Sequence, residues 1–360
     1  MHVDNYLDTI NKWKNCPMAN YVCPVARYTK AETNTPRGLA FIFSLITSKL
    51  KKIDNTAIER IYQCNLCRAC EAVSRDDSSI PEFIIAARMD IVEGDMVPKE
   101  VRKLTDDIVK DSILSNFESV KNIVSESNST EDTVLIINYK SENSKKIFQK
   151  IKKLLTKENI DCKELNIGKY PAPAVMLNEL GYNELSNKVL ENLVYLIKNF
   201  KFKELVFLVP YDLELLIKNE VINEGLSDIK HSFEFLNEFI EKYPDASKKK
   251  NEEIIYIDSE GNRKNEKFYE IPRKILKDIS GYKIKEMIWN RKESISCGGL
   301  VLKYLYPDIF NGILNIIFEE LDEYNLDKII TPCPDCIDNL AENKNLKKNF
   351  KFLDLWEASF

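Results

Sequence analysis

Histidine is almost absent from this chain of 360 residues, which carries only His2 and His231. The two are isolated from the other polar motifs, so a histidine-ligated metal and histidine acid–base catalysis are both disfavoured. An excess of basic residues is missing as well. The chain has 52 Lys and Arg against 57 Asp and Glu, a formal net charge of -5, which argues against a general nucleic-acid binder.

Long apolar runs are also missing. The longest, such as residues 39–46, fall far short of the roughly 18 residues that a membrane-spanning helix needs. Residues 1–5 lack the basic and apolar regions of a signal peptide. We therefore expect a cytoplasmic protein without direct membrane insertion, and the 44% hydrophobic and 30% charged residues suit a soluble chain of two or three domains.

Cysteine, by contrast, is plentiful, and the spacing of four of the nine is informative. Cys64, Cys67 and Cys70 stand at C-x2-C-x2-C spacing, and Cys23-Pro24 lies 41 residues upstream of the first. In bacterial-type ferredoxins the run is C-x2-C-x2-C-x3-C-P, and the last cysteine of each run binds the cluster held by the other run. These four residues, called here the N-terminal cysteine group, therefore form a complete ligand set for one 4Fe-4S cluster.

A second cluster would lack most of its ligands. By the same cross-ligation rule it would draw on Trp13, Cys16, Ala19 and Ser74, and of these only the cysteine binds iron readily. We predict one cluster, with Cys16 left as a buried orphan thiol.

Zinc binding and a disulfide are the two alternatives for these cysteines. Zinc accepts four thiolates as readily as iron does. A disulfide is disfavoured, because nine cysteines without a signal peptide indicate a reducing compartment. The Cys-Pro dipeptide favours iron–sulfur over zinc.

The chain divides into three predicted domains. Residues 1–124 are typical of short helices separated by cysteine loops, with apolar helical patterns at 39–50 and 84–92. The polar stretch 125–132 predicts a linker. Residues 125–245 and 246–360 then alternate strands with helices, which predicts two α/β domains with mainly parallel sheets.

These α/β domains are predicted to be internal copies. The first copy has predicted strands at 134–137 and 205–209 and a helix at 144–155. The two strands recur about 120 residues later, at 254–257 and 328–331. An ungapped overlay of 204–213 on 327–336 sets Pro210 and Leu213 opposite Cys333 and Cys336. We therefore expect the first copy to bind no metal, and Cys162, in a predicted strand, to be a core residue.

A second group of cysteines lies near the end of the chain. This C-terminal cysteine group consists of Cys297, Cys333 and Cys336. Ligands gather at the carboxyl ends of strands in open α/β sheets, so the three thiols are predicted to meet in one metal site. Candidates for a fourth ligand are Ser296, Asp335, Glu293, Asp258 and an external ligand. The alternative is the remnant of a site that has lost its metal.

Nearly the whole chain resembles the iron–sulfur proteins that join a ferredoxin-like domain to two cysteine-rich CCG domains. That family includes heterodisulfide reductase subunits and the iron–sulfur subunits of glycolate oxidase and of anaerobic glycerol-3-phosphate dehydrogenase. Residues 35–38 match the S-P-R-G segment of that family, and Arg88 matches its helix after the second cysteine run. The signature of that family is C-x31-39-C-C-G-x35-36-C-x2-C. Here Ser259 falls near the position of its first cysteine, Ser296 replaces the first of the adjacent pair, and the first copy has none of the signature cysteines.

The resemblance implies an electron-transfer subunit that relays electrons through one 4Fe-4S cluster between a flavoprotein dehydrogenase, or another redox subunit, and a further carrier. The incomplete signature argues against disulfide reduction of the kind that this family carries out. Two alternatives are an oxidoreductase with substrate chemistry at a C-terminal zinc or iron–sulfur site, and a metal-stabilised scaffold.

Overall fold

The computed structural model describes residues 1–74, 78–127, 129–209, 211–218, 229–247, 249–259, 266–343 and 349–360. Within these ranges the chain is mixed α/β, with two four-stranded parallel sheets. None of the helices in the same ranges combines the length and the apolar character needed to cross a bilayer.

Every regular element described before residue 134 is helical. The α-helices are α1 (Leu7–Trp13), α2 (Pro24–Thr29), α3 (Pro36–Thr47), α4 (Asn55–Gln63), α5 (Ala69–Ala72), α6 (Ile80–Glu93), α7 (Lys99–Asp111) and α8 (Phe117–Ser125). Side-chain caps begin several of them: Asp54 accepts from the backbone N–H of Ala57, at the start of α4. The predicted helices at 39–50 and 84–92 correspond to α3, which starts and ends three residues earlier, and to α6.

Between α8 and the first α/β unit, the described residues 126–127 and 129–133 form neither helix nor strand; the predicted linker covers 125–132, and its first residue ends α8. The strands of the first α/β unit are β1 (Val134–Asn138), β2 (Cys162–Asn166), β3 (Glu204–Phe207) and β4 (Ile229–His231), in the order β2-β1-β3-β4. Its helices are α9 (Glu142–Lys157), α10 (Pro173–Glu179), α11 (Asn183–Asn199), α12 (Tyr211–Lys218) and α13 (Ser232–Lys242). The third strand ends two residues before the predicted limit, and Pro210 lies outside the described residues.

The second α/β unit has the same strand order as the first, as the predicted duplication requires. Its strands are β5 (Glu253–Tyr256), β6 (Lys283–Glu286), β7 (Lys328–Thr331) and β8 (Lys351–Asp354), in the order β6-β5-β7-β8. Its helices are α14 (Glu266–Lys274), α15 (Leu302–Leu305), α16 (Pro307–Asp322), α17 (Pro334–Ala341) and α18 (Leu355–Ser359), with a π-helical turn at Ile275–Ile279.

The first sheet is buried on both faces. Leu135 and Ile137 of β1 pack into the core that they share with the N-terminal helices. The alternate residue Ile136 faces a second core, which also contains Ile254 and Tyr256 of β5. Burial on both faces is typical of parallel sheets, and here it packs the N-terminal helices and the two α/β units against one another.

Arg88 ties the N-terminal helices to the first α/β unit. Its guanidinium is fully buried and donates to the backbone carbonyls of Ile61 at 2.8 Å, Cys64 at 2.6 Å and Glu179 at 2.5 Å. Gly181, at φ +92°, lets the chain pass close by, since a Cβ there would lie 2.6 Å from the carbonyl oxygen of Arg88. The loop that begins at Cys64 is therefore anchored to a neighbouring domain.

Candidate metal centre

The four members of the N-terminal cysteine group line one pocket. Cys23 is the residue before α2, Cys64 directly follows α4, and Cys70 lies within α5. None of the four is engaged in a disulfide. The structure therefore brings together all four thiols that the cysteine spacing selects.

The thiols of this group act on one another electrostatically. Burial raises the pKa of Cys23 and of Cys70, and neighbouring thiolates of the group raise both further. The backbone N–H groups of Val25 and Ala26, at the start of α2, oppose the rise at Cys23. Thiols bind a metal in their deprotonated form, and four thiolates in one pocket repel one another. A bound cation removes this repulsion and so offsets the cost of deprotonating the thiols.

The loop between Cys64 and Cys70 has an unusual backbone. Leu66 and Arg68 adopt left-handed conformations, at φ 53° and 61°, each of which costs a residue other than glycine about 1–2 kcal/mol. The N–H of Leu66 hydrogen-bonds the thiol of Cys64 and lowers its pKa, against the larger effect of burial. Turns of this kind gather backbone N–H groups around anions, including iron–sulfur clusters.

The spacing of the sulfurs distinguishes two kinds of metal site. Around one zinc ion, with bonds of about 2.3 Å, thiolate sulfurs lie about 3.8 Å apart. All four cysteines belong to the described ranges, yet no three of their sulfurs lie within 4.8 Å of one another. In a cubane cluster each thiolate binds a different iron, which holds the sulfurs further apart. The four thiols therefore lack the close sulfur spacing of a single zinc site.

Two of the four residues at the predicted ligand positions of a second cluster lie in the core. Trp13 is 4% exposed and packs in the same core as Ala19, while its indole N–H donates to the hydroxyl of Ser78 at 2.8 Å. The expectation of a buried thiol at Cys16 is wrong: this side chain is partly exposed. Its loop follows α1 at the surface, and both of its chain neighbours are exposed.

In the C-terminal cysteine group, Cys297 and Cys336 are joined by a disulfide, with Cα atoms 5.6 Å apart. The sequence analysis predicts that these three thiols meet in one metal site and does not predict this bond. The second α/β unit packs the loop at Cys297 against α17, within bonding distance of Cys336. All three cysteines of the group are at most 1% exposed, and Cys333, the residue before α17, is free. Metal binding by the group remains a prediction.

Several polar groups surround Cys333. Burial raises the pKa of its thiol to about 12, the carboxylate of Asp335 adds to the rise, and the N–H of Cys336 and the hydroxyl of Ser259 oppose it. Ser259 falls near the position of the first signature cysteine in the family resemblance. Its hydroxyl lies beside the buried thiol of Cys333.

The candidates for a fourth ligand have other partners. Asp258 accepts two hydrogen bonds from Arg273, at 2.8 and 2.7 Å. Asp335 lies 3.6 Å from the ammonium of Lys303. Although burial disfavours the charged form of this lysine, Asp335 raises its pKa. Glu293 ends the short helix Arg291–Glu293, outside the core.

One buried hydrogen bond connects the two cysteine groups. The side-chain amide of Asn65, the residue after Cys64, donates to the hydroxyl of Ser296, the residue before Cys297, at 2.9 Å. Asn65 is 3% exposed and Ser296 is fully buried. Sequence reasoning missed this contact, because 231 residues separate its partners and neither asparagine nor serine carries a motif that points to the other.

The view of His2 as isolated is also corrected. Its ring Nε2 lies 2.6 Å from the Glu93 carboxylate, and the backbone N–H groups of His2 and Val3 donate to Asp90 at 2.5 and 3.0 Å. These contacts hold the first residues of the chain against the end of α6. His231 is buried in the first α/β unit, where burial lowers its pKa to about 3 and keeps the ring neutral.

A family model described as the CCG cysteine-rich domain matches residues 261–341, less than a quarter of the chain. The matched segment includes the whole C-terminal cysteine group and helices α14 to α17. This similarity indicates a redox-related protein that binds iron–sulfur or another metal. Comparisons with curated proteins and with solved structures give no match to this chain.

Proposed function

We propose that the chain is the iron–sulfur subunit of an oxidoreductase, in which Cys23, Cys64, Cys67 and Cys70 hold one 4Fe-4S cluster. The observation that carries the proposal is the convergence in one pocket of four cysteines that are far apart in sequence and outside any disulfide, with no three of their sulfurs within 4.8 Å of one another. When bound, the cluster would accept and release single electrons. Arg88 and the N–H groups of Leu66, Val25 and Ala26 would position its ligands.

The proposed partner is a flavoprotein dehydrogenase or another redox subunit, as the family resemblance implies. Near Cys23 the surface carries Tyr21, which is 53% exposed and whose ring lies 5.7 Å from that of Trp289. The guanidinium of Arg27 lies 5.9 Å from the centre of the Trp289 ring. Trp, Tyr and Arg dominate binding energy at protein interfaces. We assign the docking of the electron donor to these three residues.

Metal analysis of the anaerobically prepared full chain tests the cluster. We expect about four irons and four acid-labile sulfides per chain, with visible absorption that bleaches on reduction, from the cross-ligation rule. Cys67→Ala should lose this iron, and the matched variant Cys16→Ala should keep it. Stoichiometric zinc without iron would favour the scaffold function instead. About eight irons, or iron retained in Cys67→Ala, would show that the ligands are misassigned.

Reduction kinetics test the docking surface. With reduced flavodoxin as the donor, Trp289→Ala should slow bleaching of the cluster roughly tenfold or more, as the loss of an interface hot spot does. Reduced methyl viologen, a small donor, should bleach both proteins at the same rate. Equal rates with flavodoxin would remove this surface from the proposal and leave the cluster assignment intact.

A further inference from the structure

The disulfide between Cys297 and Cys336 is shielded from solvent. The two residues are 1% and 0% exposed, and they come from a loop and from α17 of the second α/β unit. While both sulfurs are bonded to each other, neither can serve as a thiolate ligand. The disulfide state of this group is therefore an alternative to metal binding. A large external thiol has no direct access to it.

The proposed iron–sulfur site lies next to this disulfide. The Asn65–Ser296 hydrogen bond joins the residue after Cys64 to the residue before Cys297. Ser296 also accepts from the backbone N–H of Gly298 at 3.0 Å, so the bond reaches both sides of Cys297. Both cysteine groups contribute to one continuous hydrophobic core. A dry, packed connection thus runs from the proposed cluster to the disulfide.

We propose that Cys297 and Cys336 form a redox-active disulfide that exchanges electrons with the cluster held by the N-terminal cysteine group. The inference rests on the proposed function, because the cluster supplies the electrons. Reduction breaks the sulfur–sulfur bond, consumes two electrons and two protons, and leaves two thiols. The electrons come singly from a one-electron donor, such as a reduced flavoprotein, and the protons come from water. The pair would store two electrons beside a one-electron centre.

Asn65 is the positioning residue of this route. Its amide donates to Ser296, the residue before Cys297, at 2.9 Å. Asn339 of α17 also holds the backbone at Cys297, because its side-chain amide donates to the carbonyl of Cys297 at 3.3 Å. Replacing Asn65 with leucine keeps the size of the side chain and removes only the hydrogen bond.

Thiol mapping of the full chain tests the proposal. Anaerobically prepared protein is denatured in the presence of maleimide, which alkylates free thiols, and without reductant. Its peptides are then analysed by mass spectrometry. We expect Cys297 and Cys336 to be unmodified and linked to each other. After the native protein is incubated with reduced methyl viologen, both should be alkylated, a gain of two thiols per chain. A bulky phosphine, which cannot reach a buried disulfide, should give little reduction in the same time.

Variants decide whether the electrons pass through the cluster. Asn65→Leu should keep about four irons, as the cross-ligation rule requires, and slow the gain of thiols on the order of tenfold, as small displacements of reacting groups do. Cys16→Ala should match the parent chain in both measurements. Cys23→Ala, without the cluster, should keep the disulfide.

The outcomes separate this inference from the proposed function. Suppose that about four irons are present but Cys297 and Cys336 react with maleimide at the outset, or hold a metal. The disulfide proposal then fails, while the proposed function stands. The disulfide proposal also fails alone if Cys23→Ala or Asn65→Leu loses the disulfide as fast as the parent chain. If no iron is present, the electron source is absent and both proposals fail.

Discussion

The two α/β units share a strand order but differ in the polar groups at the carboxyl ends of their strands. The second unit has three buried cysteines there, and Asp335 in the first turn of α17 lies 3.6 Å from Lys303. The first unit has Asp212 at the overlaid position, in the first turn of α12, where it accepts from the N–H of Val175 at 3.2 Å. In the part of the chain that the structure describes, no cation lowers the pKa of Asp212.

The links between the first two strands of each unit differ in the same way. In the first unit, the amide of Asn138 donates to Glu164 at 2.6 Å. In the second, the guanidinium of Arg273 joins Asp258, after β5, to Glu286, at the end of β6. The parallel sheet therefore forms with or without cysteines and with either kind of link. What distinguishes the second unit is a set of charged and thiol groups that the fold itself does not require.

The largest expected effect comes from Arg273→Met. Arg273 is 2% exposed and forms four hydrogen bonds with the carboxylates of Asp258 and Glu286. Its removal leaves the buried carboxylate of Asp258 without its guanidinium partner, which typically costs roughly 3–5 kcal/mol. Urea unfolding at neutral pH measures this loss. Lys274→Met is the matched control, because its ammonium pairs at the surface with Glu241 and should cost at most about 1 kcal/mol.

The pH dependence follows from Glu286. Burial raises the pKa of this carboxyl, but Arg273 outweighs burial and lowers it. A lowered folded pKa stabilises the protein above the unfolded pKa of about 4.3, and this stabilisation is lost as the pH falls below that value. Arg273→Met should therefore differ less from the parent chain in acid than at neutral pH. A constant difference at all pH values would contradict the ion-pair account.

Gly298→Ala should have the next largest effect. Gly298 lies in the loop after Cys297 at φ +109°, and a Cβ there would come within 2.3 Å of the ring of Phe310. Backbone strain and overpacking together should cost roughly 2–4 kcal/mol. Gly281→Ala, at φ +71° with its nearest contact at 3.4 Å, should show only the strain of about 1–2 kcal/mol. If both variants lose the same free energy of unfolding in urea, the ring of Phe310 moves to accommodate the added methyl group.

Asp212→Asn should stabilise the protein above neutral pH. Burial raises the pKa of Asp212 to about 7. A raised folded pKa means that stability is full below the unfolded value of about 3.9 and falls as the pH rises to about 7. The variant should gain about 1–3 kcal/mol at pH 8 and nothing near pH 4, measured by urea unfolding at both values.

Asp335→Asn is the matched control in the second unit. It should not gain stability at pH 8, because the variant leaves the Lys303 ammonium without its carboxylate partner. The same gain in both variants would mean that the lysine does not distinguish the two units.

The smallest effect is expected at Cys162, the only cysteine in the sequence of the first unit. It is 7% exposed in β2, and burial raises its pKa to about 12. Cys162→Ala should cost about 1 kcal/mol for the lost buried sulfur and should leave the iron content unchanged. A loss of iron as large as that in Cys67→Ala would place a metal ligand in the unit that we expect to bind none.

Local pattern was enough to predict several of the strands and longer helices. Apolar runs such as residues 134–137 and 328–331 indicated strands, and the structure has β1 and β7 there. Cys162 lies buried in a strand, as expected. Element limits shifted by two or three residues because caps set them. Thr35, for example, starts α3 by accepting from the N–H of Gly38.

The candidate site was predictable only in part. The cross-ligation rule selected the four thiols that line one pocket, because that rule already encodes a three-dimensional arrangement. The rule could not supply the buried guanidinium of Arg88, which collects carbonyls from separate helices. Nor could it show that Cys16 is partly exposed, since exposure depends on how a surface loop packs.

Periodicity and spacing thus determined several helices and strands, the α/β pattern of the second half of the chain and the grouping of the N-terminal cysteines, because these depend on residues close in the chain or on a ligand rule. Only the tertiary structure decided that Cys297 pairs with Cys336, that Asn65 reaches Ser296, and that Asp335 lies beside Lys303. Such contacts join residues far apart in sequence. They follow from how the three parts pack together.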